Sequence, residues 1–259
     1  MSVLRNLLLP RRGLLVPRRE LLLPTRQRGS LLLTGVGPIT PPPAAGAFIF
    51  DERFEGTGYE ETWSEGETVG GSSSLNEDAT PPTGSDASWG SQCLTATTAS
   101  AEVAFVQSIA EFPDNDKFYL RYEIILTTIG IGDTQFFYTF LLNHADTDNI
   151  ATVIVYNSGG TILFLGYDNR DGAGLANTWN SAVTTDTLYR VELKWDLSDD
   201  TIEWRLDGST KDSGSLSGSA TGWNVNDITA GITSKTATTT DVVSCDKITV
   251  STTDWVGAG

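Results

Sequence analysis

The sequence predicts an all-β protein in which two antiparallel sheets pack face to face, preceded by an extended, non-globular N-terminal arm. From residue 47 onwards, apolar and polar residues alternate in short segments, which is the period of a half-buried strand. Gly, Asn, Asp, Ser and Thr separate these segments, and no long segment has helical periodicity. Before residue 47, Pro10, Pro17 and Pro24 recur at seven-residue intervals and interrupt regular structure.

The arm comprises residues 1–33 and repeats a block of leucines, one proline and basic residues: LLLPRRG, LLVPRRE, LLLPTRQ. Each proline lacks an N–H and disfavours helix in the residue before it, so the arm cannot form a continuous helix that buries its own leucines. A leucine buried on a partner contributes about 1.5–3 kcal/mol, and arginine pairs bidentately with carboxylates. We therefore predict a docking arm. Its docking residues are Leu7, Leu8, Leu9, Arg11, Arg12, Leu14, Leu15, Arg18, Arg19, Leu21, Leu22, Leu23, Arg26 and Arg28.

The charge is distributed unequally between the arm and the rest of the chain. Residues 1–43 contain seven arginines and one acidic residue, which gives a net charge of +6. Residues 44–259 contain the other ten basic and 32 acidic residues, which gives a net charge of −22. The acidic body and the lack of aromatic residues among the arginines argue against a nucleic-acid partner. No apolar run is long enough for a signal peptide or a membrane span, so we expect no membrane partner either.

The remaining chain divides into a linker and one folded domain. Residues 34–46 are rich in Gly and Pro and predict a stiff linker, and residues 47–259 predict the β domain. Within the hairpin 188–209, Tyr189, Val191, Leu193 and Trp195 alternate with polar residues, which predicts one core face and one solvated face. Ten to twelve strands are expected, near residues 47–54, 92–97, 101–107, 117–128, 134–143, 149–157, 161–167, 188–209, 228–234 and 241–251.

Residues 48–253 resemble the concanavalin A-like lectin and glucanase jelly rolls, especially the laminin-G-like versions of tailed-phage virion proteins. The likeness lies in the order of FDERFEGTGYEETW, YEIIL, GTILFLGYDN, LYRVELKWDLSDDTIEWRLDG and CDKITVS. The resemblance implies a jelly-roll sandwich whose final strand pairs near the first. It further implies a virion component, with a capsid decoration protein as the expected role.

For such a virion protein, the partner expected for residues 1–33 is the major capsid protein or another virion protein. We expect a homo-oligomer, with a trimer as one form, located on the virion surface after assembly in the host cytoplasm. An alternative that stays open is a carbohydrate-binding adhesion module, on the head or a tail fibre, that contacts host or mucosal glycans.

The sequence predicts a non-enzymatic protein. Glycanases of the resembled superfamily carry an E-x-D-x-x-E strand, and no such segment is present. Glu192 with Asp196, and Glu203 with Asp207, lie between basic residues and predict charge pairing on a polar face. His144 is the single histidine, and no G-x-S-x-G segment accompanies it. A glycan hydrolase with an unrecognised acid pair remains the second alternative.

Seven tryptophans raise the question of sugar contact. Trp195 and Trp204 lie at the alternating apolar positions of their strands, which face the core, and are predicted to be buried. The residues predicted to be available for glycan contact lie in Gly-, Ser- and Thr-rich segments: Trp63, Trp89, Trp179 and Trp223.

No cofactor is expected. The one alternative is calcium in two oxygen-rich loops, with the ligands Asp146, Asp148, Asp168 and Asp171, although neither loop has the spacing of a dedicated calcium loop. Cys93 and Cys245 are the two cysteines, and two cysteines in 259 residues do not form a disulfide framework. We expect unpaired buried thiols, with a disulfide between them as the alternative.

The arm hypothesis predicts that deleting residues 1–33 abolishes incorporation into the virion, because the leucine triplets provide the apolar anchor. The measurement is the amount of the protein on purified particles, compared with the full chain. Unchanged incorporation of the truncated chain would contradict the docking arm.

Overall fold

The computed structural model describes residues 48–55, 63–64, 68–69, 73–99, 101–108, 112, 114–144 and 148–255. The predicted arm (residues 1–33) and linker (residues 34–46), with all fourteen docking residues, lie outside the described residues. The assignment of these two segments therefore stays a prediction.

The described residues form sixteen strands and two short 3-10 segments, Ala87–Trp89 and Gly218–Gly222. No helix within these ranges is long and apolar enough to cross a membrane. The strands are β1 (Phe48–Glu52), β2 (Trp63–Ser64), β3 (Thr68–Val69), β4 (Ser74–Ala79), β5 (Cys93–Thr98), β6 (Val103–Ser108), β7 (Lys117–Thr128), β8 (Phe136–His144), β9 (Asp148–Ser158), β10 (Thr161–Asp168), β11 (Ala176–Ala182), β12 (Leu188–Asp196), β13 (Thr201–Leu206), β14 (Ser209–Ser215), β15 (Asp227–Lys235) and β16 (Asp241–Ser251).

These strands form two sheets of eight strands each. Sheet A has the order β14-β13-β12-β7-β16-β5-β4, with β1 paired to β16, and sheet B has the order β11-β10-β9-β8-β15-β6-β2, with β3 paired to β6. The pairing of β1 with β16 is antiparallel and places Phe50 opposite Val250, so the last strand returns to the first. The predicted all-β, two-sheet antiparallel sandwich is confirmed.

The core lies between the two sheets and is built from the inward-facing residues of their central strands, which alternate with outward-facing ones except at bulges such as the one in β8 between Tyr138 and Phe140. Tyr122, Ile124 and Leu126 of β7 are fully buried and face the opposite sheet, where Phe137 and Phe140 of β8 are equally buried. The rings of Tyr122 and Phe140 are 5.2 Å apart between centroids. Trp195 and Trp204 are both 0 % exposed, so the alternation of the hairpin predicted their burial correctly.

The strands that the sequence analysis missed lie at the margins of the sheets. β4 and β14 are the two edges of sheet A, and β11 and β2 are the two edges of sheet B. An edge strand is paired on one side and buries little side-chain surface, so its sequence needs no apolar alternation. The segments SLNEDA, ANTWNSA and STKDSGS are accordingly polar and did not predict strands.

The two cysteines are free and buried, as expected. Cys245 of β16 lies opposite Leu94 of β5 and belongs to the main core. Cys93, the neighbour of Leu94, points to the other face of sheet A and packs with Trp89 and Ile125. Because the two side chains lie on opposite faces of one sheet, they cannot form a disulfide.

A buried ion pair connects the two sheets at one side of the sandwich. Asp168, the last residue of β10, is 0 % exposed and accepts hydrogen bonds from Arg170 Nε at 2.7 Å and from Trp204 Nε1 of β13 at 2.8 Å. Arg170 also pairs with Asp212 of β14. Sheet A and sheet B therefore share one polar cluster, in which the carboxylate has both charge and hydrogen-bond partners.

We predict that Arg170→Met destabilises the fold by about 3 kcal/mol, because it leaves Asp168 buried without a counter-charge. Urea denaturation of the purified protein measures the change. The matched control is Arg53→Met, which removes the exposed pair with Asp51 and should cost less than about 1 kcal/mol. Equal costs for the two variants would contradict the structural role of the buried pair.

Candidate functional site

The outer face of sheet B carries an open groove of about 370 Å³ across strands β8, β9 and β10. We call it the tyrosine groove. Its lining consists of Thr134, Phe136, Tyr138, Ile154, Tyr156, Leu165 and Tyr167.

The strand register explains why these side chains share one surface. Tyr138 lies opposite Ile154, which lies opposite Leu165, and Phe136 lies opposite Tyr156 in the next row. The residues between them point inwards, and Phe137, Val153, Val155 and Phe164 are all 0 % exposed. The same alternation that builds the core therefore lines up the tyrosines on the other face.

The groove combines aromatic rings with neutral polar groups. Phe136 and Tyr138 pack edge to face with ring centroids 5.7 Å apart, and the three tyrosine rings are half-buried. Burial and the neighbouring phenol of Tyr167 raise the pKa of Tyr138 above its ordinary value. Its hydroxyl therefore stays protonated at neutral pH and can both donate and accept hydrogen bonds.

The four tryptophans predicted for glycan contact do not form a common surface. Trp63, Trp89 and Trp179 are 1 %, 1 % and 5 % exposed, because they lie in β2, a 3-10 segment and β11 and pack inwards. Trp223 is half-buried and stacks on His144 with ring centroids 5.5 Å apart. Three of the four rings are thus enclosed by the fold and offer no face to a sugar.

The tyrosine groove is the feature that the sequence analysis missed. The available signal was the phase of the aromatic residues: Tyr138, Tyr156 and Tyr167 occupy positions that alternate with the core residues of β8, β9 and β10. Such outward positions are usually polar, so three aromatic residues on adjacent strands indicate an exposed apolar surface.

The two carboxylate pairs considered for catalysis lie on or beside sheet A, and Asp196 and Glu203 are engaged in ion pairs. Asp196 is fully buried and forms ion pairs with Lys117 and Lys194, with N–O distances of 2.9 Å each. Glu203 pairs with Arg205 at 2.8 Å and accepts from Thr210. Asp207 accepts the backbone N–H of Arg190 at 2.9 Å, and Glu192 lies opposite Arg205. These contacts support the charge-pairing interpretation, and none of the four acids lines the tyrosine groove.

The four aspartates of the calcium alternative are placed differently from one another. Asp168 is fully engaged with Arg170 and Trp204, and exposed Asp171 accepts the backbone N–H of Ala173 at 2.9 Å. Asp146 and the side chain of Asp148 lie outside the described residues. Across the described ranges, no group of three or more His, Cys, Asp or Glu side chains is arranged to hold a metal ion.

The outer face of sheet A contains a buried charged row that the sequence did not predict. Glu123 is 0 % exposed and accepts from Arg121 Nε and Arg190 Nε at 3.1 Å each, and from Trp89 Nε1 at 2.7 Å. Asp246 of β16 lies opposite Glu123 and is also 0 % exposed. The segment that contains Trp89 covers this part of the row, so sheet A is closed here where sheet B is open.

Asp246 has an unusual environment within the charged row. Neither carboxylate oxygen has a hydrogen-bond partner of normal geometry among the described residues. The pKa of Asp246 is raised to about 8, chiefly by burial and also by the negative charges of Glu123 and Glu55, while the backbone N–H and the positive charge of Lys247 oppose the shift. Between pH of about 4 and about 8, the carboxyl of Asp246 is therefore protonated in the folded protein and ionised in the unfolded chain.

No protein-family model matches the sequence, and no curated protein is similar to it. Among solved structures, an endo-β-1,4-glucuronan lyase from the fungus Trichoderma reesei superposes with a TM-score of 0.57 at 12 % identity, over 80 % of this chain and 96 % of that one. The alginate lyase Aly36B gives a TM-score of 0.49 at 13 % identity, over 64 % and 82 %. The binding domain of botulinum neurotoxin DC, solved with rat synaptotagmin II, gives 0.49 at 9 % identity, over 74 % and 44 %.

The likeness to the glucuronan lyase shows the fold alone, a two-sheet jelly-roll sandwich. It also corrects one expectation. The prediction of a non-enzymatic protein is contradicted, since the glucuronan lyase has the same sandwich over most of its length. The prediction rested on the missing E-x-D-x-x-E strand, and that strand bears on one class of glycan hydrolase alone.

The raised pKa of Asp246 predicts a pH-dependent stability. Between pH of about 4 and about 8 the unfolded carboxyl is ionised and the folded one is protonated, so wild-type stability falls as pH rises, by up to about 1.4 kcal/mol per pH unit. Asp246→Asn removes this loss, and its advantage over the wild type should grow from pH 5 to pH 8 in urea denaturation. Exposed Asp171→Asn serves as the control and should follow the wild-type curve. An advantage of Asp246→Asn that stays constant with pH would contradict the prediction.

Proposed function

We propose that the protein binds glycan chains in the tyrosine groove. The observation that carries this proposal is the row of Phe136, Tyr138, Tyr156 and Tyr167 across three adjacent strands of an open sheet. The apolar C–H faces of a sugar ring can pack on aromatic rings, while the phenol hydroxyls can exchange hydrogen bonds with sugar hydroxyls. An open groove that spans three strands suits a chain better than a single small molecule.

Charge favours a neutral glycan over an anionic one. None of the seven residues that line the groove is charged, so the lining offers no counter-charge to a carboxylate or sulfate. The chain as a whole carries a net charge of −16, and the part after residue 43 is more acidic still. An acidic polymer that approaches this surface is therefore repelled.

A second candidate function is polysaccharide lyase activity in the same groove. The similarity to the glucuronan lyase fold, over 80 % of this chain, is the observation that favours it. Lyase chemistry requires a base that removes the proton next to the uronate carboxyl and an acid that protonates the leaving oxygen. Tyrosine phenols can serve in both roles, and Tyr138, which is protonated at neutral pH, would be the acid. The uncharged lining is the feature that weighs against this candidate.

The proposal includes attachment to a virion. The leucine triplets of residues 1–33 and the resemblance to tailed-phage virion proteins support a model in which the arm holds the sandwich on a larger particle. In that arrangement the tyrosine groove would meet glycans at the host surface or in mucus.

We predict that Tyr156→Ala and Tyr167→Ala each weaken glycan binding by about tenfold or more, because each removes an aromatic ring from the groove. Binding is measured on a glycan array of neutral and uronate-containing chains and is quantified by titration with the strongest ligand. Trp223→Ala is the matched control, since it removes a half-buried ring outside the groove and should bind like the wild type.

The purified wild-type protein and its variants also distinguish the two candidate functions. Incubation with glucuronan and alginate, followed by the absorbance of unsaturated uronide ends, reports lyase activity. Binding of neutral chains without new unsaturated ends supports glycan binding, whereas new ends that disappear in Tyr138→Phe support the lyase. A wild-type chain that neither binds nor cleaves any glycan would contradict both.

A further inference from the structure

One residue of the tyrosine groove has a strained backbone. Among the described residues, six that are not glycine have a positive φ: Phe54, Thr134, Asp186, Asp200, Asp207 and Lys247. Thr134, with φ of 64°, is the β-branched member of this set. A β-branched side chain is a genuine outlier in this conformation, because its Cβ substituents crowd the backbone. Its presence here therefore needs an explanation.

The neighbouring turns hold Thr134 in this conformation. Its backbone N–H donates to Asn157 O at 2.9 Å, and the Gln135 N–H donates to Gly132 O at 3.1 Å. Asn157 Nδ2 donates to Ile131 O at 2.8 Å, and the Gly159 N–H donates to Asp133 Oδ1 at 2.6 Å. The turn before β8 is thus tied to the turn after β9, and these bonds can sustain local strain.

Glycine would relieve that strain. In the adjoining turn, Gly159 and Gly160 adopt positive φ values of 59° and 88° without any steric cost. Threonine at position 134 has no such freedom. We therefore look to its side chain for the reason that threonine, and not glycine, occupies this position.

The position of Thr134 indicates what the side chain does. It lies in the turn two residues before Phe136, the first residue of β8, and lines the groove that also contains Phe136 and Tyr156. It is exposed, so its hydroxyl and methyl groups are available to a ligand at this end of the groove. Tyr138 and Tyr167 also line the groove, and their larger side chains likewise end in a hydroxyl group.

We propose that Thr134 is a specificity-determining residue of the tyrosine groove, whose hydroxyl bonds to the sugar unit at this end of a bound glycan. This inference rests on the proposed glycan binding. A hydroxyl beside an aromatic platform distinguishes sugars by the orientation of one hydroxyl group, because a sugar that cannot pair with it leaves a polar group unsatisfied. The braced turn holds the backbone of Thr134 in place before the ligand arrives, which reduces the entropy lost on binding.

The test compares three substitutions at one position. Thr134→Val keeps the shape and removes the hydroxyl, Thr134→Ser keeps the hydroxyl, and Thr134→Asn relieves the backbone strain and changes the side chain. We expect Val and Asn to weaken binding of the best array ligand by about tenfold, equivalent to about 1.4 kcal/mol, while Ser stays within about twofold of the wild type. Asp200→Asn, at a positive φ in the turn between β12 and β13, is the control and should not change binding.

A stability measurement gives an independent readout. Asparagine tolerates the left-handed conformation, so Thr134→Asn should raise the midpoint of thermal unfolding by about 2–4 °C, whereas Thr134→Val should not. A lower midpoint for Thr134→Asn would overturn the strain argument.

The binding results separate this inference from the proposed function. If Tyr156→Ala loses binding but Thr134→Val and Thr134→Asn bind like the wild type, the role of Thr134 is overturned and the groove remains the glycan site. If the wild-type chain binds no glycan, both proposals fall together.

Discussion

The structure depends on one constraint, the burial of the inner faces of two sheets against each other. Each central strand supplies its inward-facing residues to this contact, and Phe137, Trp195 and Trp204 are fully enclosed in it. Since the core uses one phase of each strand, the other phase is free to carry a different property. Sheet A uses it for a closed row of charges around Glu123, and sheet B uses it for an open aromatic groove.

The strands that could be predicted are those on which this constraint acts. β7, the β12–β13 hairpin and β16 lie inside sheet A, and their alternation was visible in the sequence. The edge strands β4, β11 and β14 are polar because one side of each is unpaired, so periodicity could not reveal them. Burial of Arg121 and Glu123 was equally hidden, because it depends on a segment around Trp89 that lies more than thirty residues away in sequence.

The position of an aromatic residue within its strand, and not its type, decides whether it can line the candidate site. Trp63 and Trp89 follow or lie in segments rich in small polar residues, yet they are among the largest fully buried side chains. The tyrosines of the groove were visible in the sequence, but the register that aligns Tyr156 with Phe136 across two strands is a property of the folded sheet. The absence of an E-x-D-x-x-E strand bears on one hydrolase mechanism and says nothing about other classes of enzyme.

The placement of the cysteines has a practical consequence. Burial raises the pKa of Cys93 to about 11 and that of Cys245 to about 12, so both remain thiols at neutral pH and are shielded from reagents. Each lies on a different face of sheet A, one beneath Trp89 and the other in the central core. Alkylation of the two positions would therefore report separately on local opening of the covering segment and on global unfolding, without any engineered label.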